Sequence, residues 1–419
     1  GAVSWVEERD LAVFQYTPDF VKSGIELSPL KMPLSETPYE FPGLARRSFH
    51  GLPGLLADSL PDKFGNALIN AWLASEGRSI EHFNAVERLC YVAARGMGAL
   101  EYQPAILKKA SRAEELEIER LVELTNRVLK QRESLKGTFT GEDDRAALED
   151  ILRVGTSAGG ARAKAILAWN PQTNRFRSGQ VKAPAGYQYW ILKFDGIGNN
   201  RDKEDADPQG FGKIEYAYYL MGLAAGIQMM PCRLHHEGGR SHFMTRRFDR
   251  TDVGDKIHMQ SLGALAHADF NQAGTYSYEE AIRAMKRLGL PRSDLEQQVL
   301  RTLFNVVARN QDDHVKNIAF LMNREGEWRL SPAFDVTYAY NPSGDWTGKH
   351  QMSINGKRDA FEAADLVAFA ALAGIKPARA LDMLVHVIGC VRRWSEFAEQ
   401  AGVPEAHIRR IGATLRLEL

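Results

Sequence analysis

The stretch "RNQDDHVKNIAF", residues 309–320, constrains this chain more than any other. It follows the apolar "LFNVVA" and leads into "IAFLM". Carboxylates, amides, a histidine and a lysine are thus set between segments that read as core. Polar groups buried there without partners cost several kcal/mol. The fold must supply those partners or leave the stretch open to a ligand. Just downstream, "IAFLMN-REGE-WRLSP" reads as a hairpin. Antiparallel pairing returns a chain to where it began. Asp335, in "SPAFDVT", is therefore expected beside Asp312 and Asn317. Two carboxylates and an amide oxygen form a hard-oxygen set of the kind that holds magnesium beside phosphates.

The rest of the chain divides by pattern. In residues 1–108, "LAVFQYT" reads as a strand, while "DKFGNALINAWLASEG" and "AVERLCYVAARG" read as helices. Residues 109–150 read as a connector. Its charged helix over 111–135 is capped by Ser111 with Glu114 and carries a stripe of Leu121, Leu124, Val128 and Leu129. Residues 151–250 hold the glycine-rich "GTSAGG", the strands "YQYWILKF" and "SHFMTRRFD", and the helix "KIEYAYYLMGLAAG". Residues 251–419 are mostly helical, with a second capping pattern at Ser293 and Glu296.

Composition narrows the class of protein. The 419 residues carry 53 basic and 53 acidic side chains, so net charge supplies no global attraction for nucleic acid or an anionic membrane. At 44% hydrophobic and 25% charged, the chain suits two or three globular domains. No apolar run approaches the roughly 20 residues that span a bilayer, and no signal peptide is visible. Cys90, Cys232 and Cys390 are odd in number and far apart, which fits buried thiols in a reducing cytoplasm. The chain opens at "GAVSW" without methionine, which leaves room for a preceding strand.

Spacing sharpens the chemistry. Asp312 and Asn317, four residues between them, match the D-x-x-x-x-N of the protein-kinase catalytic loop. Lys193 lies within the strand "WILKF", where an unpaired lysine is costly. Glu215 follows 22 positions on, at the start of a helix. A strand lysine paired with a helix glutamate is how kinases grip the α- and β-phosphates. Glycine loop, lysine, glutamate, D-x-x-x-x-N and hairpin aspartate occur in the kinase order.

Taken with "SAGGARAK" (157–164), "ILKF", "RRFDR" (246–250), "NQDDHVKN", "LSPAFDVT" and "GLLADSLPDKFG" (54–65), the chain resembles the HipA-like serine/threonine kinases, toxins of bacterial toxin–antitoxin modules. The resemblance covers essentially the whole chain. It implies an α+β, bilobal kinase-like fold with an extra N-terminal subdomain and a mostly helical C-lobe. It implies use of ATP and Mg²⁺ to phosphorylate a protein serine or threonine, an aminoacyl-tRNA synthetase among the family's targets. A small helix-turn-helix antitoxin would carry the kinase to DNA, with no membrane partner. By motif, Asp312 would be the catalytic base, with His314 and Lys316 beside it, and Asn317 and Asp335 would hold Mg²⁺. Ser157, Ala158, Gly159, Gly160, Lys164, Lys193 and Glu215 would serve the phosphates, and Ser157 would be autophosphorylated. Backbone groups of Arg246 and Phe248 would touch adenine.

Other residues admit plainer readings. His314 is expected to orient a neighbouring carboxylate. Lys316 either neutralises the transferred phosphoryl group or pairs with Asp312 or Asp313, and Asp313 is expected to be structural. Asp249 and Arg250 serve ribose or substrate, or form a surface ion pair worth little. His235 and His236 read as a solvated turn, "RDKEDAD" (201–207) as a solvated loop, and Tyr216, Tyr218 and Tyr219 as helix packing. Two other functions remain open: an antitoxin-dependent, DNA-bound regulator whose kinase site is dispensable, and a stand-alone kinase of a small molecule or lipid.

Overall fold

A computed structural model describes residues 1–106, 115–131, 151–152, 154–155, 162–197 and 210–419. The chain forms two compact units that interleave in sequence. One comprises Gly1–Asp58, Lys213–Met230 and Met259–Leu419; the other comprises Ser59–Gly212 and Pro231–His258.

The second unit is built on an antiparallel sheet. Its strands run in the spatial order Glu115–Leu116, Arg175–Ser178, Lys164–Asn170, Gln188–Lys193, Arg240–Arg246 and Cys232–Glu237. Every pairing is antiparallel. Aromatic and β-branched residues in "QYWILK" suit a half-buried pleated surface. Ala165, Leu167, Leu192 and Met244 of the sheet share one core with Leu68, Ile69 and Leu73 of the helix Lys63–Ser75. Asp62 caps that helix by accepting from the Gly65 amide at 2.7 Å. Gly179 is required at its position, because a Cβ there would sit 2.4 Å from the Leu167 carbonyl oxygen.

The first unit is largely helical. The helices Phe211–Ala224, Tyr278–Arg287, Arg292–Val307, Ala363–Leu372 and Pro377–Arg392 supply most of its core. Tyr218 is fully buried in that core, and its hydroxyl donates to the Ala308 carbonyl at 2.6 Å, as helix packing predicts. The expected hairpin forms from Ala319–Met322 and Trp328–Leu330, with Phe320 opposite Leu330. A third strand, His258–Ser261, joins the same sheet. The expected mixture of a sheet-built part and a largely helical part is the one observed. Among the described residues no helix is long and apolar enough to cross a membrane.

Some local expectations fail for identifiable reasons. Ser111 and Glu114 lie outside the described residues, but the helix begins only at Ile118, because Glu115–Leu116 pair as a strand with Arg177 and Phe176. Ser293 does not cap its helix, which starts at Arg292 after Pro291. Capping boxes form instead at Asn84 with Glu87, Ser277 with Glu280, and Glu362 with Asp365. His235 and His236 lie in the strand Cys232–Glu237, not in a turn. His235 is buried against the rings of Phe176 and His242, and burial lowers its pKa. Of the cysteines, only Cys390 is buried; Cys90 and Cys232 are half-buried, and all three are free thiols.

Candidate active site

The polar loop resolves its sequence puzzle by alternation. Gln311, Asp313 and Val315 are buried, while Asp312, His314, Lys316 and Asn317 are half-exposed. The inward groups are satisfied by protein. Asp313 accepts from the Tyr278 hydroxyl, the Gln351 amide and His350 Nδ1, each at 2.7 Å. Burial alone would raise the Asp313 pKa, but the hydrogen bonds from His350, Gln351 and Tyr278 hold it below the usual carboxylate value. Asp313 is thus a fully buried support for its neighbour.

The outward groups are oriented yet open. Trp346 Nε1 donates to Asp312 Oδ1 at 2.7 Å. Oδ2 of Asp312 has no hydrogen-bond partner among the described residues. The Asn317 side-chain amide donates to the Asp312 carbonyl at 2.7 Å, which leaves its oxygen to accept or coordinate. His314 Nε2 stands 3.9 Å from Asp312 Oδ1, beyond hydrogen-bond reach. The orienting task expected of His314 therefore falls to Trp346. Lys316 makes no ion pair with Asp312 or Asp313; its ammonium sits 4.6 Å from the centre of the Phe270 ring.

Two pairings bracket Asp335. At one end the Ser331 amide donates to the Ala319 carbonyl. At the other, Gln311 donates to Ala339 and Ala339 to Arg309. Asp335 lies between these points, on the segment that follows the hairpin's second strand. Its φ of +53°, and that of Arg309 at +56°, are left-handed conformations uncommon for residues with a Cβ. Such strain collects at functional sites. Half-exposed Asp335 and the Asn317 oxygen are hard-oxygen groups of the type that magnesium takes. Among the described residues there is no cluster of three His, Cys, Asp or Glu side chains arranged to bind a metal. Phosphate oxygens would have to complete the coordination.

The sheet unit holds a second polar feature. Lys164 and Lys193 stand directly opposite each other on adjacent strands, and both are buried. Like charges so placed repel. Lys164 is compensated by Asp62, 3.7 Å away, and Lys193 lies 5.7 Å from the Phe243 ring centre. Buried Arg162 stacks over Phe211 at 4.1 Å. Ser157, Ala158, Gly159 and Gly160 lie outside the described residues, as does "RDKEDAD". Glu215 is buried on the helix Phe211–Ala224, in the other unit. The Arg246 amide already donates to the Pro231 carbonyl, which leaves its carbonyl as the backbone group for a ligand.

Asp249 is neither a surface ion pair nor exposed to a ligand. It is fully buried, held by Arg247 through both oxygens at 2.8 Å and by Arg250 at 2.9 Å. The Gly98 amide donates to it at 2.7 Å, and Arg250 caps the Gly96 and Gly98 carbonyls. Arg247, Asp249 and Arg250 of "RRFDR" are thus a buried lock on the Gly96–Gly98 turn. Sequence reasoning missed this, and it missed Trp346 and His350. A lone tryptophan in the polar "SGDWTGKHQ" was the available signal.

Known proteins match the chain along most of its length. The HipA N-terminal domain family matches residues 1–103, and the HipA-like C-terminal domain family matches 156–414. The Sinorhizobium fredii (strain NBRC 101917 / NGR234) protein named "Putative kinase Y4mE" is 28% identical over 160 residues. That match covers 35% of this chain and 37% of the relative, so it spans little more than a third of that protein. A chain of the Shewanella oneidensis MR-1 toxin–antitoxin complex of HipA, HipB and operator DNA shares the fold. Its TM-score is 0.65 at 18% identity, with 99% of this chain and 92% of that one covered. With both of its domain families matched across most of the sequence, the chain belongs to the HipA family.

Proposed function

We propose that this protein is an ATP- and Mg²⁺-dependent serine/threonine protein kinase acting as the toxin of a toxin–antitoxin module. The observation that carries the reading is the outward set on the 311–317 loop. Asp312 is aimed by Trp346 with one oxygen open, and Asn317 is turned so that its oxygen is left over. Asp312 Oδ2 would accept the proton of the target hydroxyl, and the Trp346 bond would hold the carboxylate in one rotamer. Magnesium at Asn317 and Asp335 would supply charge neutralisation for the phosphates. Lys316, propped on Phe270, and His314 flank the base. Lys164 and Lys193, side by side on the sheet, remain candidates for phosphate contact by motif. Ser157 remains a candidate for autophosphorylation, where an added charge of about −1.5 to −2 would repel bound phosphates. Its fold relative's assembly with HipB and operator DNA supports a small antitoxin as partner, with DNA contacted through it.

Incubation with labelled ATP and a cell lysate tests the substrate class. The expected result is a labelled protein band that yields phosphoserine or phosphothreonine. Label confined to metabolites or lipids would refute it. Trp346→Phe is expected to lower turnover about tenfold, as loss of an orienting hydrogen bond does, with KM for ATP little changed. An unaltered kcat would remove Trp346 from the mechanism.

A further inference from the structure

Arg416 is remote from the polar loop in sequence, yet its buried guanidinium reaches the loop's support. Nη1 lies 2.9 Å from both the Val306 carbonyl and His350 Nε2, and Nη2 pairs with Asp359. The Arg416 amide also donates to the Val307 carbonyl. A guanidinium has donors only. His350 Nε2 must therefore accept, which puts the ring proton on Nδ1 and directs it to Asp313. Asp313 is the residue next to Asp312.

The same segment is gripped at two further points. Arg309 Nε donates to the Thr414 carbonyl at 2.7 Å, and the Tyr338 hydroxyl lies 3.1 Å from Thr414 Oγ1. Arg309 leads into the loop of Asp312, and Tyr338 follows Asp335. These two stretches also pair with each other through Ala339. Thr414–Arg416 thus touches both active-site segments and the histidine that supports one of them.

The geometry points to Thr414–Arg416 as a strap that sets the active-site loop, with Arg416 a positioning residue that fixes His350 as the neutral Nδ1–H tautomer. Its consequence for turnover rests on the kinase reading; the tautomer and the loop order do not.

The test uses the full chain with Arg416→Met, Arg416→Lys and, as a control, Val387→Ala. Val387 is a fully buried apolar residue of the helix Pro377–Arg392, and its side chain takes no part in the strap's hydrogen bonds. Imidazole ¹⁵N resonances, assigned with His350→Gln, should show Nδ1–H and an acceptor Nε2 at His350 in the wild type, and loss of the acceptor-only Nε2 signature in Arg416→Met. Amide exchange over 311–314 should accelerate in Arg416→Met, and kcat should fall about 10- to 100-fold with KM for ATP nearly constant. Arg416→Lys should restore part of each effect. Val387→Ala should lower Tm and leave all three readouts unchanged. An Nε2–H tautomer in the wild type, or an Arg416→Met protein indistinguishable from Val387→Ala, would overturn the strap. If the wild type transfers no phosphoryl group, the kinase reading fails, and the tautomer and exchange data still decide this one.

Discussion

Asp312→Asn is expected to reduce phosphoryl transfer by about 10²- to 10⁴-fold, the usual range for removing a general base. The substitution is nearly isosteric. An asparagine oxygen can still accept from Trp346, so the loop should keep its form and the protein its Tm. Asn317 bonds to the residue-312 backbone carbonyl, which the change leaves in place. Nucleotide affinity should therefore move little while kcat collapses. Activity within about tenfold of wild type, measured on protein free of host kinases, would mean that Asp312 is not the base. In that event the loop's outward set would need a different chemistry, and the regulator reading would gain.

Asp249→Ala is expected to give the largest loss of stability. The carboxylate is fully buried between two guanidiniums and takes the Gly98 amide as well. Its removal leaves Arg247 and Arg250 buried without their counter-ion, a change that costs about 3–5 kcal/mol. For a unit of this size, that corresponds to a fall in Tm on the order of 10 °C. A shift of only a degree or two, read by calorimetry, would show that water relaxes the site.

The same carboxylate predicts a pH dependence. Burial alone would raise its pKa, but Arg247 and Arg250 together with the hydrogen bonds lower it from 3.8 to about 2. A depressed folded-state pKa stabilises the fold above the unfolded value and loses that contribution as pH falls through the folded value. The wild type should therefore lose about 2 kcal/mol from this group between roughly pH 4 and pH 2. Asp249→Asn, already deprived of the charge, should show a shallower acid limb over that window. Parallel limbs would assign acid sensitivity to other carboxylates.

What was legible in the sequence was local. The helices Lys63–Ser75, Ala85–Val92 and Arg292–Val307 follow from 3.6-residue apolar periods. The hairpin after Asn317 follows from two short apolar runs and a polar turn. Asp312 and Asn317 were visible by their spacing, because one short loop carries both. Boundaries and caps were less secure. Ser293 has the right residue type for a cap, yet Pro291 sets the helix start and the Asp294 carboxylate is taken by Arg329 and Leu330.

Local pattern was enough to read several short segments as helix or strand and to point to the family that the matched domain families bear out. What each polar group does was settled only when the chain had packed. Packing turned Asp313 inward and Asp312 outward, and made Asp249 a lock instead of a ligand. It also recruited Trp346, His350 and Arg416 through contacts 34, 37 and 66 residues apart in sequence. Hydrogen bonds over such separations leave no periodicity or spacing to read, since they exist only once the cores have formed and brought distant donors to one acceptor.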